Sequence, residues 1–310
     1  MSMTAFPTGA TVYGVPVLPA GLLSTGTSWF VNANSSTPGL GYSNDSPATT
    51  IAAVVSLASV GDNIILLEGH TEAISSSTAL TISKAGLKLI GLGYGSRRPT
   101  ITLDTANTAT INVTAASVVM FNIVFVANFL AIAGLFTLTT ANDLQLYNCE
   151  FRDTSAVLNF VSIVDTNTTS NAADGIVIQG CKRIGLGASS ATCIVKMDGT
   201  NNRLTVTDNY FSHAATTQAA FMPIATGKVV TNMLLASNFF ELVGAQAATT
   251  GILITTDGST NSGYLARNLI QSLDDTTEIL VTASSGFRFS QNFYSGAADT
   301  SGRLLPVVDT

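Results

Sequence analysis

Leu204-Thr205-Val206-Thr207-Asp208-Asn209-Tyr210-Phe211 is the phrase from which the chain can be read. Apolar and polar residues alternate, an Asn follows, and an aromatic comes next. The phrase returns at Leu144–Phe151, Met233–Phe240, Tyr264–Ile270 and Phe287–Tyr294, and more weakly around Asn122. Its turn positions are Asn122, Asn148, Gly180, Asn209, Asn238, Asn268 and Asn292, which are 26, 32, 29, 29, 30 and 24 residues apart. A near-constant step of this length marks stacked supersecondary units. Alternation with period two is a half-buried strand. Asn tolerates a left-handed backbone and bonds its own loop, so it is expected to turn the chain between strands. Further apolar pieces precede each phrase, such as Ile194-Val195 and Ile252-Leu253-Ile254, with small turns such as Asp198-Gly199 between. Each unit therefore reads as one coil of a β-solenoid. About nine or ten coils at about 4.8 Å each make a rod of roughly 45 Å.

Composition agrees with one elongated domain. The 310 residues are 46% hydrophobic but only 10% charged, far below the usual quarter. The surface is therefore built of short neutral polar groups. Net charge is −6 with no basic run, which disfavours nucleic acid. No stretch approaches 18 uninterrupted apolar residues, so no membrane span is expected, and Met1–Pro19 does not read as a secretory signal. The three cysteines lack metal spacing. Cys149 and Cys181 each follow a turn residue and are expected to stack as buried thiols.

Residues 1–26 lack the repeat and read as an extended arm; 27–296 read as the solenoid; 297–310 read as a tail, apolar enough at Leu304-Leu305 to dock on the rod or a partner. Ser46 then Pro47 reads as a cap and first helical residue, predicting a short helix near 47–60, ended by Gly61, that plugs the open end.

Strand, Gly/Asn loop, Ser-Pro helix, Gly61-Asp62-Asn63-Ile64-Ile65-Leu66 and stacked Asn turns resemble the right-handed parallel β-helix of the pectin-lyase-like superfamily. More narrowly, Leu67–Glu72, Gly91–Pro99, Thr105–Ile111, Phe151–Phe160 and Ser301–Pro306 resemble a family of β-helix proteins of tailed bacteriophages, over nearly the whole chain. The wider likeness implies an all-β, single-stranded, right-handed parallel β-helix with an N-terminal capping helix. The narrower one implies a virion structural protein, and it brings no catalytic residues with it.

Candidate chemistry is sparse. Cleavage of polysaccharide by this fold needs clustered acids or a carboxylate pair. The best candidate is Glu150-Phe151-Arg152-Asp153, where period two puts Glu150 and Arg152 on one face; a surface ion pair is the commoner meaning of such a pattern. His70, between Glu68 and Glu72, reads as an exposed loop histidine, and His213 as a surface one. Gly91-x-Gly93-x-Gly95 followed by Arg97-Arg98 has neither phosphate-loop spacing nor a following helix, and reads as a corner with two solvated arginines facing a partner. The nearly all-apolar run Val118–Phe136, with Phe121, Phe125 and Phe129, cannot point inward on both faces, so part of it is expected at a subunit interface.

The expectation is a non-enzymatic bacteriophage structural protein without cofactor or metal. It would be a homotrimer assembled in the host cytoplasm that decorates or cements the head, with itself and the major capsid protein as partners. The alternative is a tail-associated receptor binder or polysaccharide depolymerase, with a glycan as ligand.

Overall fold

The computed structural model describes residues 11–12, 15–16, 26–186, 193–214, 221–242, 253–256, 260–272, 281, 286–295 and 303–305. Most of the expected arm and tail lies outside these. In the tail, Arg303–Leu305 is described: it pairs antiparallel with Asn292–Ser295 and so lies on the rod, at the end of a sheet.

The fold is a parallel β-helix with three sheets. The first is ten strands deep, from Ser28–Val31 through Asn63–Leu66 and Gln145–Tyr147 to Phe287–Ser290. The second runs from Thr71–Ile74 through Glu150–Asp153 to Asn292–Ser295, with Arg303–Leu305 as its tenth strand. The third has five strands, from Leu80–Ile82 to Cys193–Lys196, and Met222–Pro223 with Ile254–Thr255 forms a further parallel pair beyond it. Coils stack in register, and this is why the period-two pattern works. On the first sheet Leu89, Met120, Leu146, Ile178, Val206, Leu235 and Leu265 are successive partners and form one buried column. On the second sheet Phe125, Phe151, Phe211 and Phe240 fill the matching column. Removing each large side chain from water contributes on the order of 2 kcal/mol.

The aromatic column has one exception. Arg183 stands between Phe151 and Phe211 and is fully buried. It donates to the carbonyls of Cys193 (2.6 Å) and Phe160 (2.7 Å) and faces Asp153 at 3.9 Å. His213, read from sequence as a surface residue, is also fully buried here. Its ring packs against Phe221 at 4.2 Å, and burial together with the Arg183 charge pushes it well below the ordinary histidine range. Period two places its side chain on the inward face, and that outweighs its polarity.

The helix spans Ile51–Leu57 and buries Ile51, Val54 and Val55. It packs on Ser28–Val31 and Leu80–Ile82, the strands that open the first and third sheets, so it closes an open end as expected. Its start is four residues later than Ser46-Pro47 suggested. Thr50 is the cap, accepting from the Ala53 N–H, and Glu72 accepts the Ile51 N–H at 2.8 Å. The preceding residues are tied instead into the loop beside the first strand, with Ala48 donating to the Phe30 carbonyl. Gly61 does not end the helix; Ala58 closes it, and Gly61 turns the chain at φ 80° afterwards. Asp62 fastens this end: it accepts from the Trp29 indole, Thr27 N–H and Ser59 N–H at 2.8–2.9 Å. Burial opposes its charge, but the three donors prevail and hold its carboxyl below the usual range. His70 is fully buried, not exposed: its Nδ1 accepts the Ala33 N–H and its Nε2 lies 3.2 Å from Glu72.

The turn reading is half right. Asn122, Asn148 and Gly180 are left-handed, with φ of 59°, 51° and 64°. In later coils the left-handed residue is the one before the Asn: Asp208, Ser237, Arg267 and Gln291. Asn209, Asn238, Asn268 and Asn292 are instead buried, one step on, in the same column as Ile123, Cys149 and Cys181. Each Asn carboxamide donates to the next, Asn209 to Asn238 (2.9 Å), Asn238 to Asn268 (3.0 Å) and Asn268 to Asn292 (2.9 Å). The same oxygens also accept the backbone N–H of the preceding Asn. The second amide hydrogen goes to a carbonyl, for instance Asn238 to Val206. The ladder satisfies its own polar groups in the interior, as burial demands.

Candidate functional site

A concavity lies at the corner between the first and second sheets. It has a volume of about 630 Å³. Gly93, Tyr94 and Gly95 form one wall, Phe121, Asn122, Asn148 and Gly180 the corner, and Arg98, Glu150 and Arg152 the floor. Several residues singled out from sequence therefore converge here. In-register stacking is the cause: the corner residues 122, 148 and 180 follow the paired strand ends Phe121, Tyr147 and Gln179.

The Gly91–Gly95 loop is held to this corner. The Asn122 amide donates to the Gly91 and Gly93 carbonyls at 2.9 and 3.1 Å. Gly93 takes φ 94°, and a Cβ there would meet the Arg97 carbonyl at 2.6 Å, so only glycine fits. This presents the Tyr94 ring to solvent at 92% exposure. An aromatic left so bare on an anchored loop gains nothing for the fold from its ring.

Glu150 is the centre of the floor. Arg152 Nε donates to its Oε1 at 2.8 Å and Arg98 Nη1 to its Oε2 at 3.1 Å. Burial opposes the charge, but the Arg152 hydrogen bond and the charges of Arg152, Arg98 and Lys182 prevail, holding its carboxyl below the usual range. It is thus an ionised acceptor and unsuited to be a proton donor near neutral pH. Arg98 is not the solvated cation expected: its guanidinium turns in to Glu150 and to the Asn148 carbonyl at 2.7 Å, replacing hydration with fixed acceptors. Arg97 stays exposed, paired with Glu68 at 2.8 Å.

Asp153 does not share a site with Glu150. Alternation turns it inward, where it accepts from the Phe160 and Leu186 N–H groups at 3.0 Å and faces Arg183. The suggested interface phenylalanines also separate. Phe125 is wholly buried, stacked on Phe151 at 5.9 Å, because its strand position points to the core. Phe129 packs partly against the core, and Phe121 belongs to a smaller cluster with Phe30, Ile65 and Ile90. The most exposed large apolar residue of the run is Leu130, at 57%. Other outward apolar side chains occur later, at Leu234, Tyr264, Leu269 and Phe293, 36–48% exposed.

A second polar cluster was not singled out in sequence. On the outward face of the third sheet, Lys196 Nζ lies 2.6 Å from Asp198 and 3.8 Å from Asp165. Asp165 borders a cleft of about 290 Å³ lined also by Asn107, Thr110, Asn112 and Thr137. Burial, only partly offset by Lys196, together with the charge of and a hydrogen bond with Asp198, pushes the Asp165 carboxyl up to about 6. Lys196-x-Asp198 is visible as a strand-face pair, but Asp165 joins it only through the coil-to-coil register.

No family model matches the chain, and no curated protein matches it in sequence. Among solved structures, a rhamnogalacturonan lyase aligns with a TM-score of 0.51 at 11% identity, over 87% of this chain and 74% of that one. A pectin methylesterase from Aspergillus niger aligns at 0.49 and 14% identity, over 89% and 87%. A GH136 lacto-N-biosidase from Eubacterium ramulus gives 0.44 and 10%, over 86% and 67%. At this identity the likeness to the rhamnogalacturonan lyase shows the fold alone, a parallel β-helix.

Proposed function

We propose that the chain is a non-enzymatic structural protein of a bacteriophage virion, most simply a decoration or cement protein on the head. The observation that supports it is the use to which the candidate carboxylates are put. Glu150 is bound by two arginines, and Asp153 is locked into backbone donors and Arg183. Both stabilise the rod. The phage resemblance gives the setting, and a surface with few charges suits packing on a capsid lattice. A trimer is the assembly proposed. The interface we favour uses the outward apolar residues of the last coils, Leu234 and Tyr264 on the first sheet and Leu269 and Phe293 on the second.

The deciding experiment is quantitative mass spectrometry of purified particles against the major capsid protein. Copy number on the scale of the capsid protein supports the head assignment. A small number moves the chain to the tail, and absence from particles overturns the virion reading. Light scattering tests the trimer, and a monodisperse monomer overturns it.

The raised carboxyl of Asp165 beside Asp198 favours a second reading, polysaccharide depolymerisation, since such a group can hold and release a proton near neutral pH. Polysaccharide cleavage that is lost in Asp165→Asn would establish it.

A further inference from the structure

We propose that the corner beneath Tyr94 is a docking surface for another protein, one that presents an acidic segment with an apolar side chain between its carboxylates. The inference goes beyond the virion reading and does not rest on it. It also involves neither Asp165, which lies on the third sheet, nor the apolar residues of the last coils.

Three features point to this partner. The first is an aromatic held ready. Tyr94 is 92% exposed, and Phe121 stands partly exposed on the same cleft of about 630 Å³. The loop that carries Tyr94 is fixed before any partner arrives. Asn122 donates to the Gly91 and Gly93 carbonyls, the Tyr94 carbonyl accepts the Arg97 N–H at 3.1 Å, and the Arg97 carbonyl accepts the Gly69 N–H at 2.7 Å. A ring displayed on an ordered loop loses little conformational freedom on binding. Tyrosine and arginine are enriched among the side chains that anchor protein interfaces, and Tyr94, Arg97 and Arg152 stand together here.

The second is the sign of the charge. Arg97, Arg98, Arg152 and Lys182 gather around Glu68 and Glu150. Four cations less two carboxylates give this corner +2, in a chain whose net charge is −6. Arg98 is enclosed, but the Arg97 and Arg152 side chains are 72% and 48% exposed, and each meets its carboxylate only through Nε. Among the described residues their terminal amines make no protein hydrogen bond. Each presents a fork suited to two carboxylate oxygens.

The third is the interleaving of the two signs. Glu68 and Glu150 stand among the cations, and Glu150 is held ionised. A continuous polyanion such as nucleic acid meets repulsion at both, and like charges brought together are what reject a wrong partner. A protein segment can set each carboxylate opposite an arginine and a neutral residue opposite each glutamate. An apolar side chain entering the cleft then lies between Tyr94 and Phe121, where the aromatic surface is.

The test uses the purified full chain and titration calorimetry with four probes: a peptide with one Phe flanked by glutamates, the same peptide with Gln for each Glu, poly-glutamate, and single-stranded DNA. We expect the first peptide to bind, with an affinity that falls as salt rises. The other three should bind at least about tenfold more weakly. Tyr94→Ala and Arg152→Gln should each weaken binding of the first peptide about tenfold, and Tyr94→Phe should keep it. Arg203→Gln, which removes a positive charge paired with Asp143 elsewhere on the rod, should leave it unchanged. The altered side chains are exposed, so thermal unfolding midpoints should stay within a few degrees of the parent and separate lost binding from lost fold. Equal binding of the Gln peptide, preference for poly-glutamate or DNA, no effect of Tyr94→Ala in a folded variant, an equal loss in Arg203→Gln, or no binding of the first peptide would each overturn the proposal. None of these outcomes bears on copy number in particles.

Discussion

One column of the rod changes chemistry halfway along. At the corner between the first and second sheets the N-terminal coils place Ile123, Cys149 and Cys181, and the later coils place Asn209, Asn238, Asn268 and Asn292. The backbone is the same in both halves, with a left-handed residue just before the column. The occupants of that left-handed position differ. Asn122, Asn148 and Gly180 tolerate it well, whereas Asp208, Ser237, Arg267 and Gln291 include residues that rarely adopt it. A left-handed conformation costs an ordinary residue about 1–2 kcal/mol. In the first half the turn residue itself keeps that cost low. In the second half the amide ladder offsets it by clamping each corner to the next.

The thiols cannot make such a ladder. Cys149 and Cys181 point their sulfurs at carbonyls 3.4–3.7 Å away, contacts much weaker than an amide bond. Burial, and then the neighbouring Cys149, raise the Cys181 thiol well above its ordinary range, so it is inert as a nucleophile. The Asn209 carboxamide oxygen accepts the Cys181 N–H at 2.7 Å, and there the ladder ends.

The sharpest way to break this comparison is Asn238→Ala. It strands the Asn209 backbone N–H and one hydrogen of its carboxamide, and takes one of two donors from the Asn268 oxygen and the side-chain donor from the Val206 carbonyl. With about 1–3 kcal/mol for each unsatisfied buried group, partly relieved by relaxation, we expect a loss of about 3–5 kcal/mol in urea unfolding. Cys149→Ala should cost about 1 kcal/mol, and similar losses for the two would remove the distinction.

The turn position offers the next test. Asn148→Ala should lose about 1 kcal/mol through its left-handed backbone, whereas Ser237→Gly should gain roughly 0.5–1 kcal/mol. Unchanged melting temperatures in both would mean that strain is not what the ladder offsets.

Cys181→Asn would lengthen the ladder by one rung. Its amide would reach the Asn209 oxygen that already accepts the backbone there. We expect a stability change within about 1 kcal/mol, with faster loss of amide hydrogen-exchange protection in neither half. A large destabilisation would show that the two halves are not interchangeable at this rung.

Asp165 gives the smallest effect and a control outside the column. Its folded carboxyl, at about 6, is above the ordinary 3.8, so the folded state binds the extra proton. Its contribution is therefore present below pH 4 and is lost as pH rises through 6. Asp165→Asn should flatten this part of the stability profile and make the chain slightly more stable at pH 7. An unchanged slope between pH 4 and 7 would contradict the assignment.

The repeat, the strand register, the end helix and the stacked thiols were all legible, because a solenoid repeats its local pattern once per coil and every coil reports on the others. The Glu150–Arg152 pair was legible for the same reason. The misread turns have one source: identical Asn residues occupy two adjacent positions, the turn in Asn122 and Asn148 and the ladder in Asn209 and beyond. Shifting one residue changes a turn into a buried rung without altering the repeat length. A second left-handed corner, at Gly61, Gly86, Ser117, Asp143, Gly175, Arg203 and Asn232, passed unnoticed because its occupants change from coil to coil, with Gly at only three of the seven positions.

By itself, the amino-acid sequence determined the coil. Period two, the thirty-residue step and the inward aliphatic columns are local properties, and local sterics and burial impose them. Only the tertiary structure decided which polar groups meet. Arg98 reaches Glu150 across 52 residues, Asp165 reaches Lys196 on the next coil, and Arg183 and His213 come to share the interior. These pairings depend on how many residues each intervening loop holds before the chain returns to register. A charge or a hydrogen bond is felt only within a few ångströms of where that loop brings it.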